Sequence, residues 1–368
     1  MAASVHGDES APEYEIRPYA PGDRDDVRSL FELVWASERT EEWLVHAYET
    51  NPYVDGPSMI VADAGEAVVG ARPFVPFPMR AGPTDLLAAY LNNAMVHPDH
   101  RRRGLFTRMM ELTVRMLESR DVALLFNYAN EKSAPGYREL GFDELGTGPQ
   151  KSLRVQRPGR FVRDRLDTPV GAAVATVANA AMRGYHALRR LGTAASAEWQ
   201  IKRRSGIPAT DLALLAETHT PASLHTRREE RLYRWLDADP HWEHETYLAS
   251  QGASLGAALV VRTDSGTTPQ IVDVVPPAPP ARRDAVTALL DAVLATYRDA
   301  PAISVTGPVV NERLVPPDLL SAFGFFDSDS APLSRVTAGE DTAFLSVTDA
   351  ADPEIDVLDP EHWRVRVR

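Results

Sequence analysis

A basic loop near residue 100 carries the residue types that bind phosphate groups. In the stretch MVHPDHRRRGLFTRMM (95–110), an apolar run ends at a His-Pro pair, three arginines and a glycine follow, and an amphipathic run starts at once. This order predicts a strand, a loop and a helix. Free N–H groups at a helix start attract anions, and glycine lets a ligand approach the backbone closely. The loop therefore predicts a phosphate site, with a surface turn of solvated arginines as the alternative. The candidate residues are Arg101, Arg102, Arg103 and Gly104.

A second set of polar residues follows the next apolar run. Asn130, Ser133 and Tyr137 precede the pair Gly141-Phe142. A tyrosine phenol has an ordinary pKa of ~10, so it acts as a general acid near neutral pH only with help from its surroundings. Taken alone, Tyr137 is better explained as a half-buried residue that holds a short helix, and Asn130 fits a helix cap equally well.

The elements that would position these residues follow an alternating α/β pattern. From about Ile207 a similar order recurs and ends in a strand at 342–347, which indicates an internal duplication. In the first half the predicted elements are strands at 14–20, on both sides of Gly65, and at 86–96, 122–129 and 148–155, and helices at 25–35, 41–49, 105–120 and just before Gly141.

The two motifs together resemble those of the GNAT superfamily, the Gcn5-related N-acetyltransferases. Their acetyl-CoA signature is a strand, then V-x-P-x-x-R-G-x-G-x-G/A, then a helix. Arg101 falls on the first Gln/Arg position and Gly104 on the first glycine of its core, whereas Phe106 departs from the final Gly or Ala. The departure affects side-chain packing more than the backbone amides that hold pyrophosphate. The resemblance is specific over 14–157 and implies an α/β (α+β) GNAT acyl-CoA N-acyltransferase fold, with a mixed central sheet flanked by helices.

The resemblance also implies where acetyl-CoA, the co-substrate, would bind. The pantetheine of this family pairs with the strand ahead of the loop, where a backbone amide helps to polarise the thioester carbonyl. The tyrosine of the downstream motif often protonates the departing CoA thiolate, so Tyr137 is the expected general acid. The implied cofactor-binding residues are Met95, Val96, Arg101, Arg102, Arg103, Gly104, Leu105, Phe106, Thr107, Asn130 and Ser133.

No carboxylate stands out as the general base that an amine acceptor requires. Asn92 and Asn93, just ahead of the loop, could position a water, and we include them as catalytic candidates. The polar and aromatic residues of the first two helices are better explained as solvated charges and core residues than as an acceptor pocket. These residues are Glu32, Glu38, Glu41, Glu42, Trp35, Trp43 and Tyr48. The acceptor stays open as a small-molecule or peptide amine.

The net charge of −13 is unevenly distributed along the chain. Residues 151–206 hold twelve basic and three acidic residues, so the remainder is strongly acidic. We expect a basic helical linker between acidic domains; an amphipathic element on an anionic membrane surface ranks second. A nucleic-acid contact ranks last because few aromatic residues are interleaved with the bases. We therefore expect no nucleic acid and no membrane as partner, and a homo-oligomer is compatible with the sequence. The acidic excess favours a cationic amine.

The second half resembles the first in layout but lacks its chemistry. Prolines stand at 276, 277, 279 and 280, where a pyrophosphate loop would follow the strand, and proline has no N–H to offer. Leu320 stands where the tyrosine would. We predict a degenerate GNAT-like domain that shapes the acceptor pocket or a dimer surface. The predicted divisions are a disordered tail at 1–13, a catalytic domain at 14–157, the basic linker at 158–208, the degenerate domain at 209–350 and a C-terminal tail at 351–368.

Composition excludes other classes of protein. The chain has no cysteine, which rules out a disulfide framework, thiolate zinc sites and a cysteinyl intermediate. Its histidines form no convincing ligand set, so no metal is expected. The N-terminus does not read as a signal peptide and no apolar run reaches the ~18–20 residues of a spanning helix, so we expect a cytoplasmic protein. The expected function is acetyl transfer from acetyl-CoA to a primary amine by direct attack; a catalytically silent acyl-CoA-binding or regulatory protein on the same fold is the alternative.

Overall fold

The chain forms two compact units. Unit 1 comprises the residues up to 76 and residues 89–122, and unit 2 comprises residues 77–88 and all residues from 123 onward. The computed structural model describes residues 13–147, 152–165, 168–190, 198–221, 224–264, 268–276, 283–305, 315, 317–327 and 342–348.

Unit 1 is built on antiparallel strands with helix α3 packed against them. Strand β2 pairs with β1 and β3, and the short β5 pairs with β3. A Cβ on Gly70 would lie 3.2 Å from the Met109 methyl, so glycine lets α3 approach β3. Strands β3 and β4 contribute residues to both units. The elements are β1 (Glu15–Pro18), α1 (Arg24–Trp35), α2 (Glu41–Tyr48), β2 (Met59–Asp63), β3 (Val68–Ala81), β4 (Thr84–Leu91), β5 (Met95–Val96) and α3 (Leu105–Glu118).

The remaining elements belong almost entirely to unit 2, which contains strands of two mixed sheets. They are β6 (Val122–Ala129), α4 (Ala134–Glu139), β7 (Asp143–Thr147), β8 (Ser152–Val155), α5 (Pro158–Arg165), α6 (Pro169–Arg190), β9 (Gln200–Ser205), α7 (Ala209–Glu217), β10 (His225–Thr226), α8 (Glu230–Asp237), β11 (Glu243–Gln251), β12 (Ser254–Thr263), β13 (Gln270–Val275), α9 (Arg283–Thr296), β14 (Ala302–Val305), α10 (Pro317–Ala322), β15 (Phe326–Asp327) and β16 (Thr342–Val347). The elements predicted in the first half are confirmed with shifts of a few residues, with two exceptions. The strand predicted at 86–96 is divided into β4 and β5, and residues 148–151 of the strand predicted at 148–155 lie outside the described residues.

The two sheets of unit 2 have the same arrangement of strands. The first has the strand order β3-β4-β6-β16-β7, with β10 paired to β3. The second, read in the same direction, has the order β9-β11-β12-β13-β14-β8-β15. Helix α9 lies on the second sheet and buries eight residues, seven of them in the hydrophobic core of that sheet. The order of strand, helix and strand is the same around β6, α4 and β7 as around β14, α10 and β15.

Two strands lie in the sheet of the opposite half from the one that the sequence predicts. Strand β8, expected to close the first half, pairs with β14 and β15. Strand β16, expected to end the second half, pairs with β6 and β7. An apolar pattern specifies that a segment is a strand and which face is buried, but not which of two similar sheets it joins. The domain limits themselves stay predictions.

The basic segment after residue 157 is helical only in its first part. Helices α5 and α6 pack together, and the backbone N–H of Gly159 donates to Asn179 Oδ1 at 2.9 Å. The end of the predicted linker is instead strand β9, which pairs with β11, and Trp199 is buried in the core of the second sheet. The prediction of a helical linker is therefore wrong for residues 200–205. Pairing with β11 makes this segment a strand, although its basic residues resemble those of the helices before it. No helix in the described part of the chain has the length and hydrophobicity of a membrane span.

Candidate functional site

The loop between β5 and α3 has the backbone of an anion site. A 3₁₀ turn at Pro98–His100 leads into four exposed residues. Arg102 has φ +62° and Gly104 has φ +72°, so two of these four residues have left-handed backbone. A Cβ on Gly104 would meet nothing within 4 Å, so glycine serves the backbone angle here. The first bond inside α3 runs from the Arg108 N–H to the Gly104 carbonyl at 3.0 Å. The N–H groups between these two residues have no acceptor within the helix.

The three arginines of the loop differ in what they contact. Arg101 donates through Nε to the Val96 carbonyl at 3.1 Å, which ties the loop back to β5. Arg103 donates through Nη1 to the Tyr14 hydroxyl at 2.8 Å. Arg102 is exposed, and its side chain makes no hydrogen bond to the described residues. Of the three predicted phosphate ligands, Arg102 therefore has the guanidinium most available to a bound anion.

Tyr14 holds this loop, although the sequence analysis did not select it. Its hydroxyl lies 2.8 Å from His100 Nδ1, and its carbonyl accepts from Arg108 Nη2 at 2.8 Å. Burial, and then the charge of Arg103, lower the pKa of His100 below its ordinary value. A tyrosine ahead of the first strand carries no spacing signal, and only the fold brings it to the loop.

The strand that precedes the loop is interrupted at residues 92–94, between β4 and β5. Asn93 has φ +47°, and its side-chain amide donates to the Tyr48 hydroxyl at 3.3 Å. The Asn92 carbonyl accepts from Arg72 Nη1 at 3.3 Å. Asn92 Oδ1 is buried and accepts no hydrogen bond from any residue that the structure describes. A buried acceptor without a donor is uncommon, so this atom is available to a ligand or a water.

Arg72 connects this interruption to helix α3. The side chain projects from β3 and is fully buried. Its Nε lies 3.3 Å from the Met110 sulfur, and its guanidinium carbon lies 5.9 Å from the centre of the Phe106 ring. Phe106 departs from the family signature, and the structure shows that its ring packs against a cation. The sequence analysis missed Arg72 because a lone arginine within an apolar strand has no motif around it.

The downstream motif lies in unit 2. Asn130 Oδ1 accepts from the backbone N–H groups of Lys132 and Ser133 at 3.1 and 3.2 Å, so it caps the turn before α4. Tyr137 is 1% exposed. Its ring stacks on Phe344 of β16 at 5.5 Å and meets the edge of Phe142 at 5.3 Å. The exchanged strand β16 therefore supplies one wall of the tyrosine's environment.

The residues considered for an acceptor pocket separate into two groups. The four glutamates Glu32, Glu38, Glu41 and Glu42 are exposed, and Trp43 and Tyr48 are buried in the core, as the sequence analysis favours. Trp35 is 45% exposed, so the prediction of a core position is wrong for this residue, which lies at the C-terminal end of α1. A cavity of about 770 Å³ in unit 1 lies between α1 and the start of β3, with His97 and His100 at its wall.

Two histidines of the second half each lie near a single carboxylate. His241 Nε2 is 3.8 Å from Asp264, and His244 Nδ1 is 3.6 Å from Asp237. Within the described ranges, no three histidine, aspartate or glutamate side chains converge as metal ligands do.

Comparison with known proteins agrees with the resemblance of the motifs. Residues 15–145 match a family model described as an acetyltransferase (GNAT) domain. The structure is similar to GCN5-related N-acetyltransferases from Kribbella flavida (TM-score 0.56, 16% identity, 92% of this chain and 72% of that one) and Anabaena variabilis ATCC 29413 (0.57, 11%, 91% and 73%). It is also similar to a tandem GNAT protein from the clavulanic acid biosynthesis pathway (0.53, 15%, 92% and 99%). A search of curated protein sequences finds no significant match. At these identities the structural likeness shows the fold alone.

Proposed function

We propose that the protein is an N-acetyltransferase that moves the acetyl group of acetyl-CoA to a primary amine by direct attack, since residues 15–145 match a family model described as an acetyltransferase (GNAT) domain. The observation that carries the proposal is the start of α3. Left-handed backbone at Gly104 begins α3, and the N–H groups of the first helical turn, which have no acceptor within the helix, follow directly after the exposed Arg102. Oriented N–H groups with the positive end of a helix dipole bind phosphate, and a guanidinium adds to the attraction.

The rest of acetyl-CoA would follow strand β5. In the described residues β5 pairs with β3 alone, so its second edge carries backbone groups that an extended amide-containing ligand can pair with. This is the arrangement that we propose for the pantetheine at Met95 and Val96. The N–H groups of Leu105, Phe106 and Thr107 would hold the pyrophosphate.

In the proposed reaction, the neutral amine attacks the thioester carbon and the C–S bond breaks. The amine loses one proton to water, and the CoA thiolate takes one proton from Tyr137. The stacked contact of Tyr137 with Phe344 and its edge contact with Phe142 limit the ring's rotation, which favours a directed proton transfer. The unbonded Asn92 Oδ1 supports the proposal that this residue orients a water or the amine N–H groups.

The charge of the chain is the basis for the class of acceptor that we propose. The net charge of −13, with a basic segment at 151–206, leaves the rest of the chain acidic, which favours a cationic amine over an anionic one. Small-molecule amines and peptide amines both meet this description, and a panel of acceptors separates them.

The test measures the turnover of acetyl-CoA with a panel of amines, and the readout is the release of free CoA thiol. The protein has no cysteine, so it contributes no background to a thiol assay. Tyr137→Phe should lower kcat about 100-fold, since general acid catalysis contributes 10²–10⁴-fold, and should leave the thermal shift caused by CoA unchanged. Tyr185→Phe on α6 is the matched control and should have wild-type kcat.

Three outcomes would count against the proposal in different ways. Wild-type protein without a thermal shift in CoA would contradict both enzymatic and silent binding functions. A thermal shift with no turnover of any amine would favour the silent acyl-CoA-binding protein. Unchanged turnover of Tyr137→Phe at every pH would remove the proposed acid but leave the transferase.

A further inference from the structure

The buried guanidinium in unit 1 suggests a function that packing does not explain. Resting on the proposed function, we propose that Arg72 is a positioning residue for acyl transfer. It fixes the peptide between Asn92 and Asn93, so that the Asn93 N–H is held as a hydrogen-bond donor for the thioester carbonyl of acetyl-CoA.

The burial of Arg72 is the first observation. The side chain is 0% exposed in a strand whose other core positions are apolar. Arginine is almost never fully buried unless it is paired or hydrogen-bonded, and taking a charge out of water is costly. A buried charged group together with its partner can often be replaced by apolar residues without loss of stability. Arginine is therefore an unusual choice at a position whose neighbours in the strand are apolar.

The bond from Arg72 to Asn92 is the second observation. Arg72 Nη1 lies 3.3 Å from the carbonyl oxygen of Asn92. In a trans peptide the C=O and the following N–H point in opposite directions. Because the Asn92 carbonyl points towards Arg72, the N–H of Asn93 points in the opposite direction, away from Arg72.

The other side of the same peptide is fixed by a separate contact. Asn93 has left-handed backbone, with φ +47°, and its side-chain amide donates to the hydroxyl of the buried Tyr48 at 3.3 Å. Left-handed backbone in a residue other than glycine persists when its surroundings hold it in place. Arg72 and Tyr48 together hold both residues of this peptide.

The charge of Arg72 gives this peptide a chemical advantage. A hydrogen bond from a cation to a carbonyl is stronger than a neutral one, and hydrogen bonds in a chain polarise one another. The Asn93 N–H thereby becomes a better donor. Negative charge develops on the thioester oxygen as the amine attacks, and a preorganised donor stabilises it. The effect is larger in the transition state than in the ground state, so it raises kcat more than it lowers KM.

The same side chain joins this donor to the phosphate site. The Arg72 guanidinium lies beside Phe106, in the first turn of α3, and Nε contacts the sulfur of Met110, one turn further along. The distance between the start of α3 and the Asn92–Asn93 peptide is therefore set by one rigid, buried group. Acetyl-CoA held by its pyrophosphate would reach the donor at a fixed point along its length.

The experiment compares Arg72→Met with the wild-type protein. Methionine keeps much of the volume against Phe106 and Met110 but cannot donate to Asn92. We expect kcat to fall about 100-fold, as on removal of one oxyanion donor, while the Kd of CoA itself changes by less than about threefold. With acetyl-CoA labelled with ¹³C at the carbonyl, and no acceptor present, the infrared carbonyl band should shift to lower frequency in the wild-type complex and return towards that of free acetyl-CoA in Arg72→Met.

Two further variants keep the test decisive. Arg72→Lys keeps the cation and should recover part of the kcat and part of the band shift, which also covers the case in which Arg72→Met does not fold. Val61→Ala, a change of a fully buried residue in β2, is the control for lost stability and should leave the carbonyl band at its wild-type frequency. Binding and turnover in Arg72→Met with an unaltered carbonyl band would overturn this inference alone. If Arg72→Met does not fold, a lowered kcat in Arg72→Lys with the carbonyl band at its wild-type frequency would overturn it. Absence of acetyl-CoA binding by the wild type would overturn the proposed function together with it.

Discussion

Two strand irregularities, one in each half of the chain, differ in whether their polar groups are already bonded. At 92–94, the side-chain oxygen of Asn92 is buried without a donor in the described residues. In β13 the pairing with β12 shifts at Val260/Val261, and Asp273 lies at that shift. Asp273 is fully buried and accepts from Arg228 at 3.0 Å, from the Tyr233 hydroxyl at 2.9 Å and from a backbone N–H at 3.0 Å. The side-chain oxygen at the first irregularity can accept a hydrogen bond from a ligand, whereas the buried polar groups at the second are hydrogen-bonded to one another.

The turns that follow the short helices show the same contrast. The Phe142 N–H bonds to the Tyr137 carbonyl at 3.1 Å, and the Phe325 N–H bonds to the Leu320 carbonyl at 3.0 Å. The glycine between them has φ +79° in the first turn and +78° in the second. The backbone is therefore duplicated, but the phenol of the first turn is replaced in the second by a leucine that is 2% exposed in an apolar core. One proline ahead of α9, Pro276, is described; the other three lie outside the described residues.

The largest effect should come from breaking the buried ion pair of the second half. Asp273→Asn leaves the Arg228 charge without its counter-ion, so we expect a loss of about 3–5 kcal/mol in the free energy of unfolding. Urea unfolding measures it. The double change Asp273→Leu with Arg228→Met should cost less than Asp273→Asn because no unpaired charge remains. A loss below about 1 kcal/mol for Asp273→Asn would contradict the conclusion that the buried polar groups at this irregularity satisfy one another.

A second test separates the two glycines. Alanine in left-handed backbone costs about 1–2 kcal/mol at either position. A Cβ on Gly324 would also lie 2.5 Å from His186 Nδ1, whereas one on Gly141 meets nothing within 4 Å. We expect Gly324→Ala to destabilise the protein by about 1–3 kcal/mol more than Gly141→Ala, measured by urea unfolding, because a clash forces a shift of packed groups. Adding His186→Ala should narrow the difference, and equal costs would show that α6 does not cover the second turn.

The smallest effect is expected from replacing an arginine near the N-terminal end of α3, with an arginine at the start of α9 as the control. Arg102→Gln removes an exposed cation from the phosphate site, so we expect the Kd of CoA to rise about 3–10-fold at low salt and less at high salt. Arg283→Gln, at the start of α9, is the control because Arg283 pairs with Asp318 at 2.6 Å. Calorimetric titration at two ionic strengths measures both. A change of similar size in Arg283→Gln would show that the second half also contacts CoA.

Some of the site was predictable because its signals are local. Gly104 and the arginines before it lie within a few residues of a strand end and a helix start, and backbone geometry there follows from neighbours in the chain. Tyr137 was identified because its spacing to Gly141-Phe142 repeats a known pattern. Tyr14, Arg72 and Tyr48 act on the loop and on Asn92–Asn93 from 20 or more residues away, so no spacing rule could connect them.

The amino-acid sequence was sufficient for the order of the elements, for the strand, loop and helix around Gly104 and for the loss of the tyrosine in the second half, since each depends on periodicity or on residues close along the chain. Tertiary structure alone decided that β8 and β16 exchange sheets, so that Phe344 stacks on Tyr137 from some 200 residues away. It also decided that a buried arginine holds the Asn92–Asn93 peptide. Contacts of this kind form only when non-local segments pack, and a linear pattern records which side chains are apolar but not which segments meet.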